Sequence, residues 1–265
     1  MATNEAFAPA KINLTLHVTG LRADGYHVLD SLVVFADVGD RLLFESAPEL
    51  SLAVTGPFAG GVPVDARNLA WRAAELARQR QAIQLEKNLP HGAGIGGGSA
   101  DAAAVLRTFN APEFAPQLGA DVSVCLSDAP QRMQGIGDQL APVTMVPECH
   151  LVLVNPGVSV ATPTVFAALA NKENSGMGDL PNWMSFAELA TGLRNQRNDL
   201  ETPAISVAPL IANALQALNG ALVAQMSGSG ATCFGLYPDH QSAQAAAQRI
   251  AADNPTWWVK HVKTV

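Results

Sequence analysis

The sequence predicts an α+β fold in two parts, and three observations carry the prediction. Residues 12–18 alternate strictly: Ile12, Leu14, Leu16 and Val18 share one face, and Lys11, Asn13, Thr15 and His17 the other, which is the period of a half-buried strand. A glycine-dense loop, 92–98, runs straight into an alanine-rich stretch, 99–108, that has the composition of a helix. A strand-like run at 151–154 stops at Asn155-Pro156-Gly157, which divides the chain into an N-terminal part, 1–154, and a smaller C-terminal part, 155–265. The expected architecture has two layers, with a cleft between the two parts as the site.

The other elements follow in order. Runs 32–36 and 42–45 read as strands, with Gly39-Asp40 as the turn between them. Residues 68–79 read as a helix whose buried stripe is Leu69, Ala73, Leu76 and Ala77. A strand at 83–89 leads into the glycine loop, and Asn110 closes the helix that follows it. Gly119-Ala120-Asp121 then precedes an apolar run, 122–126. Helices are expected near 164–170, 186–193 and 210–218. Strands at 222–226 and 232–237 flank a second glycine turn, Ser227-Gly228-Ser229-Gly230. A helix at 242–252 and a strand at 257–262 finish the chain.

Composition removes several function classes. Of 265 residues 48% are hydrophobic and 15% charged, the balance of a chain that buries a large core. The net charge of −7 gives no electrostatic footprint for nucleic acid as the main partner, so any anionic substrate must be held by local groups. Cys125, Cys149 and Cys233 are scattered without a C-x-x-C, and the six histidines show neither clustering nor ligand-like spacing. A disulfide framework and a zinc site are therefore not expected, and reduced thiols fit a cytoplasmic protein. Pro9, Lys11 and Asn13 break up the N-terminal segment, which argues against a signal peptide. Apolar runs are far shorter than the roughly 20 residues of a membrane span. Neither G-x-S-x-G nor H-E-x-x-H occurs.

The strongest chemical signal is Pro90-His91-Gly92-Ala93-Gly94-Ile95-Gly96-Gly97-Gly98-Ser99-Ala100. Its glycines let the backbone approach a ligand closely. The helix that follows presents free N–H groups and the positive end of its dipole, a combination suited to phosphate. No lysine follows the glycines, so the P-loop pattern is absent. Gly92-x-Gly94-x-x-Gly97 also satisfies the dinucleotide fingerprint. That fingerprint belongs at the first strand–helix turn of a βαβ unit, with an acidic residue about 20 positions on, and here the loop comes late. Taken singly, Lys11 reads as a surface lysine or one side of a cleft, Asp24-Gly25-Tyr26-His27 as a β-turn, and Asp121 as a helix cap.

Together the pieces change the reading. Ala8–Leu14, the loop Gly92–Ser99 and Gly228-Ser229-Gly230-Ala231 resemble the three motifs of the GHMP kinases, in that family's order. Further blocks resemble those members that phosphorylate a cytidine-diphosphate-linked methylerythritol. They are Arg22–His27, Lys87–Pro90, Leu118–Asp121, Asn155–Gly157, Thr162–Phe166 and Asn198-Asp199. The stretches before Asp121 and before the glycine loop are compact for that family.

The resemblance implies transfer of the γ-phosphoryl group of ATP to a tertiary hydroxyl, in the non-mevalonate route to isoprenoid precursors. It implies Asp121 as general base and Lys11 as the cation beside it. The glycine loop, Pro90 to Ala100, would hold ATP, with Ser99 near phosphate or Mg²⁺. Tyr26 and Phe166 would sandwich the cytosine, His27 would bond its edge, Asn13 would position the erythritol part, and Thr162 would join the substrate site. Asn68 and Lys87 would lie near adenine. No motif identifies protein ligands for the metal. Another GHMP kinase with a different alcohol would have no use for Tyr26-His27, and a nucleotide-binding module without catalysis would not need Lys11 and Asp121.

Overall fold

The computed structural model describes residues 4–144 and 146–265. β1 (Asn4–Asn13) and β2 (His17–Leu21) both pair with β3 (His27–Ser46), a single strand of 20 residues. The turn expected at Gly39-Asp40 is not made. Gly39 serves a close approach instead: a Cβ there would lie 2.2 Å from the carbonyl oxygen of Ala8 on β1. Asp40 is fully buried in the strand and accepts from the main-chain N–H groups of Asn88 and Leu89 and from Lys87 Nζ.

Next come β4 (Ser51–Thr55), α1 (Leu69–Leu76) and β5 (Gln81–Glu86). Asn68 caps α1 by accepting from Ala70 N–H, so the helix begins where the sequence places its cap. The glycine loop leads into α2 (Gly97–Thr108), whose N-cap, Gly96, has φ 68° and offers no side chain to the first turn. Those N–H groups are therefore left without an internal partner. α3 (Ala115–Leu118) and α4 (Ala120–Val124) are short. β6 (Gln131–Gly135), β7 (Gln139–Pro142) and β8 (His150–Asn155) follow, then α5 (Thr162–Ala167), α6 (Phe186–Leu193), α7 (Glu201–Val207) and α8 (Leu210–Ala217). β9 (Val223–Met226), β10 (Cys233–Tyr237), α9 (His240–Asp253) and β11 (Trp258–Lys263) end the chain.

The chain forms two compact units, each assembled from separated segments. One gathers the chain up to Lys11, Val38–His91 and Gly96–Asp128; the other gathers Ile12–Asp37, Gly92–Ile95 and Ala129–Val265. In the first unit, β5 pairs antiparallel with the second half of β3 and parallel with β4. α1 packs on α2 through alanines, Ala70, Ala73 and Ala74 against a run of buried residues from Ala100 to Leu106. Small side chains let these two helices approach closely.

In the second unit, the first half of β3 pairs with β2 and β6, and β6 with β7. A separate antiparallel sheet runs β11-β8-β10-β9. Its central strand β8 reads Leu151-Val152-Leu153-Val154, buried on both faces, as a continuous apolar run requires. Val152, Val154, Ile211, Leu218, Cys233 and Ile250 belong to the core cluster of this unit. Both flanks of Asn155 lie here. The Asn155 side chain donates to Thr232 Oγ1 and accepts from Gly157 N–H, which shapes the stop after β8. All three cysteines are free and buried. Among the described residues, no helix is long and apolar enough to cross a membrane.

Candidate active site

In the first unit the Lys11 ammonium, near the end of β1, donates to Asp121 Oδ1 at 2.6 Å. The lysine is buried, whereas Asp121, in the first turn of α4, is half exposed. Lys11 also runs beneath the glycine loop, because a Cβ on Gly96 would stand 3.1 Å from Lys11 Cβ. With φ 68° and that contact, Gly96 has two reasons to be glycine.

The start of α2 is fixed from below. Lys87 is buried and donates to Asp40 and, at 2.7 Å, to Asp101 Oδ2 on α2. The two carboxylates outweigh the effect of burial and raise the Lys87 ammonium, which stays charged. Burial is also the largest influence on Asp101 and pushes its carboxyl up, against the pull of Lys87 and with help from Asp40. This triad ties β3, the segment after β5 and α2 together on either side of the glycine loop. Lys87, expected near adenine, therefore has its charge committed to two carboxylates. Asn68 is likewise engaged as the α1 cap and by donating to Pro63 O.

The loop itself divides by role. Ala93, Ile95 and Ala100 are buried packing residues, while His91, Gly92 and Gly98 are exposed. His91 meets Phe58 edge-to-face at 6.3 Å, and Pro90 and Ser99 are partly exposed. Within the second unit, Gly94 (φ 71°) lies against the second glycine turn, since a Cβ there would stand 2.4 Å from Ser227 O. Ser227 Oγ donates to Gly94 O, and Thr232 N–H donates to Ala93 O.

Asn13 is held by the same turn. Its main-chain N–H donates to Ser227 Oγ at 3.0 Å and its Nδ2 to Ser31 Oγ at 2.7 Å. Its Oδ1 is buried with no partner, an acceptor held ready at fixed geometry.

A cavity of about 540 Å³ in the second unit is lined by Tyr26, His27, Thr162, Phe166 and Lys172, among others. His27 and Phe166 stack with centroids 4.5 Å apart and planes 26° from parallel, whereas Tyr26 is exposed. The aromatic pair in contact is thus His27–Phe166. His27 Nε2 is buried without a partner. Burial, then the charge of Lys172, lowers the His27 pKa, so its ring is neutral at pH 7 and presents an unpaired edge. Thr162 Oγ1 lies 2.8 Å from Ser229 Oγ.

Sequence reasoning missed Asp40, Asp101, Ser31 and Lys172, none of which stands in a recognisable motif. It also misjudged the histidines. His150, His240 and His261, far apart along the chain, bring their ligand atoms within 4.8 Å of one another.

Comparison with known proteins places these features in a family. The model of the GHMP kinases N terminal domain matches residues 68–141, and that of the GHMP kinases C terminal matches 177–256. A 4-diphosphocytidyl-2-C-methyl-D-erythritol kinase of Cereibacter sphaeroides (strain ATCC 17029 / ATH 2.4.9) is 56% identical, covering 98% of this chain and 99% of its own. One from Paracoccus denitrificans (strain Pd 1222) is also 56% identical, over 95% of this chain and 93% of its own. A crystal structure of 4-(cytidine 5'-diphospho)-2C-methyl-D-erythritol kinase superposes with TM-score 0.78 at 33% identity, covering 99% of this chain and 100% of that one. The expected α+β fold is that of these kinases, and the chain belongs to the GHMP kinases, in the family of the 4-diphosphocytidyl-2-C-methyl-D-erythritol kinases.

Proposed function

We infer that the chain transfers the γ-phosphoryl group of ATP to the 2-hydroxyl of 4-diphosphocytidyl-2-C-methyl-D-erythritol, in the non-mevalonate route to isoprenoid precursors. The observation that carries the chemistry is the Lys11–Asp121 pair beside Gly96 of the glycine loop. In the step, the hydroxyl proton passes to the Asp121 carboxylate as the oxygen bonds to the γ-phosphorus and the bond to the ADP oxygen breaks. A tertiary alcohol is crowded, so orientation and proton removal both matter. Lys11 holds Asp121 in place and offsets negative charge that develops on the phosphoryl oxygens.

ATP is the co-substrate of the family. We assign its phosphates to the Pro90–Ala100 loop, whose glycines and uncapped helix start supply N–H donors. Mg²⁺ belongs to the same proposal. The Ser99 hydroxyl is the oxygen the loop offers, and the ion ordinarily takes its remaining ligands from phosphates and water. When bound, it neutralises charge on the phosphates.

The cytosine is assigned to the pocket of Tyr26, His27, Thr162 and Phe166, where the unpaired His27 edge supports recognition of the base by hydrogen bonding. Tyr26 supplies the second aromatic face by turning onto the ring. The unpaired Asn13 Oδ1 suits a hydroxyl of the erythritol part. The division into residues 1–154 and 155–265 is part of the proposal, because the two family matches fall on its two sides. So are a cytoplasmic setting, supported by three free buried thiols, and a small molecule rather than a nucleic acid as partner, supported by the net charge.

The test is a coupled ADP-release assay with ATP and a panel of alcohols. Turnover with the cytidine diphosphate substrate, and none with homoserine or mevalonate, is expected. Turnover with another alcohol alone would keep the family and remove the substrate.

A further inference from the structure

We propose that His150, His240 and His261 form a binding site for a divalent first-row transition metal, Zn²⁺ in the first instance. The kinase chemistry does not use these residues.

Topology explains why they meet. In the antiparallel pairing of β11 with β8, Lys263 stands opposite His150 and His261 opposite Val152. His261 is therefore the diagonal neighbour of His150, and side chains two residues apart along a strand share a face. On the other side of β8, Tyr237 stands opposite His150. The chain then turns through Pro238 and Asp239, and His240 opens α9. Asp239 caps that helix by accepting from Ser242 N–H at 2.7 Å, which fixes where His240 begins. Three elements thus each deliver one imidazole to the same point.

The geometry is that of ligands. His150 Nδ1 and His261 Nε2 are 3.4 Å apart, and one ring nitrogen of each of the three lies within 4.8 Å of the others. Two nitrogens bound to a tetrahedral zinc at about 2.05 Å stand about 3.3 Å apart. The strand pair therefore already holds the required separation, and a change of rotamer at exposed His240 would bring in the third nitrogen. No other group of three such ligands occurs among the described residues.

Carboxylates stand nearby: Asp37 accepts from Lys263 N–H at 2.9 Å, and Asp239 lies beside His150. These carboxylates favour a divalent cation in the vicinity. Imidazole ligands without thiolate suit Zn²⁺, Cu²⁺ and Ni²⁺, and three protein ligands leave a fourth position for water. A metal held this way would tie α9 to the β8–β11 edge.

The test uses the full chain without an affinity tag, stripped with a chelator and titrated with Zn²⁺ at pH 7.5 by calorimetry. One metal per chain at micromolar affinity or tighter is expected. Loss of an outer partner already costs roughly 10- to 100-fold in affinity, so His240→Ala should cost at least about tenfold. His240→Ala/His261→Ala should remove the site. Co²⁺ should give the intense visible bands of four-coordination in the wild type and not in the double variant. His240 is exposed, so the single variant should fold and retain kinase turnover. Absence of zinc binding in the wild type overturns the proposal, as does an unaltered site in the double variant. So does six-coordinate Co²⁺ in the wild type, which would mark loose surface association.

Discussion

Lys11 Nζ donates to Asp121 Oδ1 over 2.6 Å, linking a side chain that is 5% exposed to one that is 47% exposed. The asymmetry matters. The cation is locked within β1, whereas the carboxylate stands on a five-residue helix with one oxygen engaged by the lysine. A base needs that combination: a fixed partner to orient it and an accessible face to receive a proton.

Asp121→Asn should therefore lower kcat by about 10²-fold or more, because the amide keeps the size and cannot take the proton. ATP affinity and the thermal midpoint should stay close to wild type, since the residue is half exposed. Lys11→Met should also slow turnover. Single-turnover kinetics beside nucleotide titration would check both. Near-normal rates in Asp121→Asn would reduce the residue to a helix-start carboxylate.

Tyr26→Ala should act on the cytidine substrate alone. Losing one stacking face costs about 1–3 kcal/mol, which corresponds to roughly 5- to 150-fold in affinity. Uniform loss of binding raises KM and leaves kcat unchanged. Varying each substrate in turn reads this directly, and an unchanged KM for the cytidine substrate would leave Tyr26 as a surface turn residue.

His27 should impose a pH dependence on the same KM. Burial and Lys172 set its folded pKa below the ordinary 6.5, so the unfolded chain takes up the proton first as pH falls. The stability owed to the neutral ring is thus complete above 6.5 and is lost as pH falls through the folded pKa. KM should be flat between about pH 7 and 8 and rise on acidification below the ordinary value. Lys172→Ala should move that rise to higher pH by removing the cation. Proton NMR titration of the His27 ring would assign the group, and a folded pKa at or above the ordinary value would refute the account.

Lys87→Met should cost about 3–5 kcal/mol of stability, because it strips the cation from two buried carboxyl groups. Asp101→Asn should cost less. Burial pushes that carboxyl up, and Lys87 still has Asp40 as a partner once Asp101 is an amide, so no buried charge is left without an opposite. Urea unfolding of the two variants would compare them, and equal losses would contradict the assignment of charge within the triad.

Much of the fold was legible locally. Alternation at 12–18 located strand residues of β1 and β2, but the chain leaves the strand at 14–16 and both faces are buried, not one. Asn68 marked the start of α1, and the run 151–154 identified β8. These signals depend on neighbours along the chain. Other elements carried no such signal. β6 reads Gln131-Arg132-Met133-Gln134-Gly135 and becomes a strand because β3 offers it an edge. α7 contains Pro203 and three β-branched residues, and its helix is a matter of packing rather than propensity. Gly39-Asp40 has the composition of a turn, yet the approach of Ala8 and the donors from 87–89 make it the middle of a strand.

The site divides along the same line. By itself the sequence marked the residue types that the proposed chemistry calls for: a lysine on a strand face, a glycine loop opening a helix, an aspartate at a helix start, and an aromatic and an imidazole after a turn. It could do so because each motif is contiguous, and its backbone demands are met within a few residues. Only the tertiary structure decided which groups meet across long separations. It set Lys11 on Asp121, committed Lys87 to Asp40 and Asp101, stacked His27 on Phe166 and gathered His150, His240 and His261. Those pairings follow from strand register and helix packing, which depend on burying the whole core at once and leave no trace in local spacing.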